Sequence, residues 1–205
     1  MPTLLETANE ALIQVGEREV ATLTSAIGKK ARLAVRNAQQ FIGTLHQWRH
    51  LRASVTTTPA AFTGDTASIA PFSRVFRGYV GTLALQNLNL NSISYKVNTS
   101  PLTGSPVYYS IKTESKVQFY PSPTVTDQSK ILLDVLLKPT IATNATDTLE
   151  GPDDYVALVG LYAQVILHRT HTTDLAAAEA TAREFETRVH MYRSLNVIQS
   201  VSFIG

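Results

Sequence analysis

The chain has 205 residues, 44% of them hydrophobic and 17% charged, with a formal net charge of +2 and no cysteine. That length and apolar share suffice for a buried core and exclude wholesale disorder, and so small a charge does not by itself demand a nucleic-acid partner. Without cysteine there are no disulfides, thiolate metal sites or cysteine nucleophiles, which fits a reducing compartment.

Thr3-Leu4-Leu5-Glu6 is a capping-box pattern, and Leu5, Ala8, Leu12 and Val15 then recur at gaps of three and four, one face of a helix closed by Gly16. A second helix is expected over 25–47, with Ala31, Ala34, Ala38, Phe41, Leu45 and Trp48 on its apolar face. Gly28 falls near its start, where a glycine is expected to cost little, and Lys29, Lys30, Arg32 and Arg36 decorate its first half. The middle of the chain changes character. Over 56–70 it is small, polar and glycine-containing, the composition of a long loop. The stretch 72–85 reads as one or two strands carrying Arg74 and Arg77, and Leu88, Leu90, Ile93, Tyr95 and Val97 alternate with Asn, Ser and Lys in strand fashion. After a turn-rich segment at 98–105 come two short strands. In the second, Val117 and Phe119 alternate with Lys116 and Gln118, the period of a half-buried strand. Pro121 and Pro123 cannot donate to a ladder, so pairing should stop there. Ile131, Leu133, Val135 and Leu137 form one more alternating strand, ended by Pro139.

Gly151-Pro152-Asp153-Asp154 starts a helix, since proline suits the first turn and aspartate the positive helix end. Over 155–167 that helix is apolar nearly all round, which requires burial in its own core, in a subunit interface, or in both. Tyr155, Leu158, Tyr162 and Ile166 are its candidate subunit-interface residues. A polar break at 170–174 leads to a last helix over 175–195, with Leu175, Ala178, Ala182, Phe185, Val189 and Tyr192 on its stripe. Glu179 with Arg183 and Glu184 with Arg188 are favourable pairs four apart. The final segment carries Val197, Ile198, Val201, Phe203 and Ile204 and no charge. It reads as an extended tail that either folds back on the chain's own β-region or, as the preferred reading, docks against another subunit. The fold class is α+β: helices from both termini (1–50 and 150–195) bundle together, an antiparallel β-rich subdomain (51–149) is inserted, and 196–205 form the tail.

Catalytic and metal constellations are not found. There is no Gly-x-Ser-x-Gly, phosphate-binding glycine loop or His-Glu-x-x-His. His46 with His50, and His168 with His171 and Asp174, are the two spacings that could touch a metal, and both read more simply as interface or helix-terminal histidines. Asp153 and Asp154 read as capping residues of a first helical turn rather than a catalytic pair. No catalytic residue, cofactor or metal is therefore expected. Lys29, Lys30, Arg32 and Arg36, with Arg49 and Arg52 after them, read either as a solvated or docking face or as a lining that meets DNA phosphates. Trp48 is the only tryptophan and reads as an anchor where the second helix meets the strands. Tyr108, Tyr109 and Tyr120 lie near strand tips and read as a tail-facing contact or as ordinary strand residues. No run approaches the ~20 apolar residues of a membrane span, and the start lacks the pattern of a signal peptide.

Four features in order resemble the head-to-tail adaptor of short-tailed bacteriophages, the tail tubular protein A family. They are the phrase Ala11-Leu12-Ile13-Gln14-Val15-Gly16-Glu17 with Val20 and Leu23, the long helix ending at Gln47-Trp48, Gly104-Ser105-Pro106 closing at Tyr120-Pro121-Ser122-Pro123, and Pro152 opening an apolar helix with an alanine-rich charged helix after it. The segments 56–70 and 87–103 depart from the pattern. The resemblance implies a non-enzymatic structural protein at the virion's head–tail junction, made in the host cytoplasm. It implies a ring, typically of twelve subunits, that binds the portal protein and the tail nozzle protein. Genomic DNA would pass through its channel without sequence recognition, and no membrane is involved. The alternative reading of the residues is a nucleic-acid-binding packaging accessory protein that uses the basic second helix.

Overall fold

A computed structural model describes residues 1–45 and 48–201, the last eight of these as backbone only. Two units emerge from its contacts, Met1–His46 with Pro139–Gly205, and Gln47–Lys138.

In the first unit, Thr3 opens helix α1 (Leu4–Gln14) as its sequence prescribes. Its hydroxyl accepts from the Glu6 amide at 3.2 Å, and the Glu6 carboxylate accepts from the Thr3 amide at 2.7 Å. Helix α2 (Ala26–Leu45) buries Ala31, Ala34, Val35, Ala38 and Ile42. Gly28 is not the inexpensive glycine expected. A Cβ there would lie 2.6 Å from the Thr22 carbonyl oxygen and 2.9 Å from Leu23 Cα, so the preceding turn packs directly on its backbone. The segment after Pro139 belongs to this unit and not to the β-rich one. Leu4 donates to the Asp147 carbonyl, Leu149 to that of Pro2, and the Ala142 amide to Gln39 Oε1 at 3.2 Å. Those bonds tie 139–149 to α1 and α2, a pairing that local composition does not reveal.

Helix α5 (Asp153–Leu167) packs against α1, α2 and α6 (Leu175–Val201). Three helical neighbours account for its apolar circumference within one chain. Tyr155 and Leu158 are 1% and 2% exposed, so packing within the chain already buries both, while Tyr162 and Ile166 are half-buried. The polar break is a turn of π-helix, His168–Thr172, ended by Thr173 in the left-handed region. On α6, Ala178, Phe185 and Val189 are buried, but Leu175, the first residue of the helix, is 66% exposed. The helix does not stop at Leu195 for an extended tail; it continues through Val201. Nothing in 196–201 breaks a helix. Asn196 costs only tenths of a kcal/mol, and propagation gains a bond per residue. Phe203 and Ile204 lie outside the described residues.

The second unit is an eight-stranded sheet with the order β1-β8-β4-β5-β6-β7-β3-β2. The strands are β1 (Arg52–Thr56), β2 (Phe62–Thr63), β3 (Thr66–Ser68), β4 (Phe72–Val80), β5 (Leu83–Asn87), β6 (Tyr108–Thr113), β7 (Lys116–Tyr120) and β8 (Ile131–Leu137). The sheet is mixed rather than wholly antiparallel, because β5 pairs with β6 in parallel at Gln86–Tyr108 and Asn87–Tyr109. The segment expected as a long loop contains the short strands β2 and β3, which extend the sheet beyond β7. The alternation around Ile93 is helical: α3 (Leu90–Thr99) starts where the Asn89 side chain accepts from the Ser92 amide at 2.8 Å, and Ile93 alone is fully buried. A polar cap outweighs alternation in so short a segment. Gln118, expected on the solvent side of β7, is buried, and its amide donates to Asp65 Oδ2 at 2.6 Å. The β7 ladder ends at Tyr120, directly before Pro121. A short helix, α4 (Val125–Gln128), precedes β8. Phe72, Val75, Tyr109, Val117, Phe119, Ile131, Leu133 and Val135 form the core.

Candidate docking surfaces

The outward side of α2 collects what its sequence scattered. Lys29, Leu33, Arg36 and Gln40 recur at gaps of four and three, opposite the buried Ala31, Ala38 and Ile42. Lys30 and Arg32 flank them. The helix has no acidic residue, and Lys29, Arg32 and Arg36 make no ion pair among the described residues. Leu33, in the middle of this face, is 56% exposed. Lys30 Nζ lies 3.3 Å from His171 Nδ1, and His171 Nε2 lies 2.9 Å from Glu17 Oε1. That chain of contacts fastens the π-turn to the start of α2.

A groove runs along α5 between α1 and α6. One part, about 440 Å³, is lined by Glu10, Val156, Ala157, Gly160, Asp153 and Glu184 among others. An adjoining part, about 380 Å³, is lined by Asp154, Leu158, Met191 and Tyr192 and shares Ala157 and Arg188 with the first. Asp153 and Asp154 stand in the first turn of α5 and make no side-chain cap. Their charges favour the helix end and leave the groove acidic. Glu184 pairs with Arg188 at 2.6 Å, as its spacing predicts, and Glu179 lies 4.0 Å from Arg183.

The second unit carries a face that sequence reading missed. Arg74 and Arg77 are three apart, so a regular strand would send them to opposite sides. An irregularity in the pairing of β4 with β8, between Val75 and Arg77, restores both to one side. Arg74 then stands opposite Leu136 and Arg77 opposite Asp134. Arg52 joins them from β1, and the guanidinium carbons of Arg52 and Arg74 lie 4.6 and 5.4 Å from the centre of the Phe76 ring. Only the odd spacing of two arginines within one strand hinted at a bulge. Asp134 accepts from Ser54 at 2.6 Å within the same depression.

Among the described residues no group of three potential ligands gathers for a metal. His168 is buried and His171 is engaged with Glu17, so the 168–171–174 spacing does not converge. Burial lowers the His50 pKa below the ordinary imidazole value, and His46 lies outside the described residues. Trp48 is buried. Tyr109 and Tyr120 are buried in the second unit. Tyr120 donates to the Ser100 carbonyl at 2.8 Å, and Lys96 Nζ lies 5.7 Å from the Tyr108 ring centre. They serve as strand residues there. No described helix is long and apolar enough to cross a membrane.

The family model of the SU10 adaptor protein matches residues 4–200, nearly the entire chain. None of the curated proteins matches it.

Proposed function

The chain belongs to the SU10 adaptor protein family, a phage head–tail adaptor family, and from that premise we propose that it forms a ring joining the portal to the tail nozzle and leaving a channel for DNA. The family places it among structural proteins of the virion's head–tail junction. The observation that carries the reading is the extent of the match, which spans both units. We read the ring as about twelve copies, a closed cyclic assembly built from one repeated contact. The uncharged segment with Val197, Ile198, Val201, Phe203 and Ile204 is its proposed portal contact.

Negative-stain images and mass photometry of the purified protein, alone and with portal, test this. Rings, alone or on portals, are expected. Deleting 197–205 should leave the helical melt near the parental one and abolish portal attachment. Monomers that never assemble in either condition would refute the ring. A second reading, a nucleic-acid-binding accessory protein, draws on the four cations of α2 and the arginine face of the sheet. It requires salt-dependent retardation of DNA by a small oligomer.

A further inference from the structure

We propose that copies of this chain meet head to tail, the outward face of α2 on one copy lying in the α1–α5–α6 groove of the next. This rests on the ring reading and names the contact that would build it.

The first support is placement. On α5, Tyr155, Val159, Tyr162 and Ile166 recur at gaps of four and three. They line the side toward α2, where the Tyr155 hydroxyl donates to the Gln39 carbonyl and Tyr162 stacks on Phe41 at 4.4 Å. Asp153, Ala157, Gly160 and Gln164 have the same spacing half a turn away, and they line the groove. The outward face of α2 and the groove therefore stand on opposite sides of α5. Two complementary surfaces so placed cannot satisfy each other within one copy or across a two-fold axis. They make a heterologous contact, which closes into a ring when the rotation closes.

The second support is charge. The groove gathers the carboxylates of Glu10, Asp153, Asp154 and Glu184 against the single guanidinium of Arg188. The α2 face carries Lys29, Lys30, Arg32 and Arg36 and no acid. Opposite potentials fix register and suppress like-on-like pairing. The third is shape. Small side chains at Ala157 and Gly160 keep the floor low, and a Cβ at Gly160 would meet nothing nearer than Thr7 at 4.0 Å. Such a floor admits a helix at close range, with Leu33 as the apolar anchor amid the cations.

The absence of cysteine makes a direct test possible. Both Leu33 and Ala157 are exposed, so Leu33→Cys and Ala157→Cys should leave the fold intact. Under oxidation, the double variant should give a ladder of covalent multimers on a non-reducing gel. Each single variant should stay monomeric on that gel, and an equal mixture of the two should stop at the dimer. Leu33→Glu should abolish assembly while leaving the circular-dichroism melt unchanged. Rings that form without a ladder, or Leu33→Cys copies that link to each other, would overturn this contact and leave the ring reading standing. Wild-type protein that never assembles, alone or with portal, would overturn both.

Discussion

Replacing Tyr155 separates burial within the chain from burial between subunits. Its side chain is 1% exposed inside the single chain and its hydroxyl donates to the Gln39 carbonyl at 3.4 Å. Truncation to alanine removes an aromatic ring from a packed core, which costs about 3–5 kcal/mol. For a chain of this size each kcal/mol moves the melting temperature by roughly 2–4 °C, so a fall of about 10 °C is expected. Tyr155→Phe removes only a long hydrogen bond and should cost about 0.5–1 kcal/mol. Burial also pushes the phenol up to about 12 from its ordinary 10. The folded-state pKa is raised, so this contribution is complete below pH 10 and is lost as pH rises toward 12. The full loss is about 2–3 kcal/mol, and Tyr155→Phe should lack it. The assay is helical circular dichroism during urea unfolding, repeated over a hundredfold range of protein concentration and from pH 8 to 11.5. A cost to Tyr155→Ala below 1 kcal/mol, or one that vanishes on dilution, would refute the placement of Tyr155 in the chain's own core.

Gly43 sits against Pro139, whose ring a Cβ would strike. Gly43→Ala should cost about 1–3 kcal/mol by overpacking, and Pro139→Ala in the same chain should recover part of it, as read by urea titration. The Asp147 carboxylate accepts from the Thr143 and Asn144 amides, both at 2.8 Å, with the Asn144 bond the larger cause of a pKa lowered to about 2. Its contribution is present above the ordinary carboxylate pKa near 4 and fades as pH falls toward 2. Asp147→Asn should therefore melt with a shallower acid dependence in that window. Trp48→Ala should cost about 3–5 kcal/mol if measured at equal assembly state. A melt within about 2 °C of the parent would contradict the burial of Trp48.

Where the signal was local, the residues spoke plainly. Thr3 with Glu6 and the Glu184–Arg188 spacing each act over one helical turn, and each is found as its pattern requires, whereas Asp153 and Asp154 hold the first turn of α5 without capping it. The mistaken strand at Ile93 had a polar cap at Asn89 as its overlooked clue, and the exposed Leu175 had none. The α2 cations were visible one by one. That they share a face with Leu33 followed from the helical period, but the acidic groove drew its carboxylates from α1, α5 and α6, which no window of sequence contains.

The sequence by itself determined the α+β class, the helical ends and most strand positions, because capping, periodicity and residue type act over a few neighbours. Only the tertiary structure decided that α5 fills its own chain's core, that 139–149 joins the helices, and that Arg52, Arg74 and Arg77 share one face of the sheet. Those outcomes depend on which distant segments supply contacts and hydrogen bonds, and on strand register. An apolar surface or an unpaired amide states that a partner is needed without stating which one.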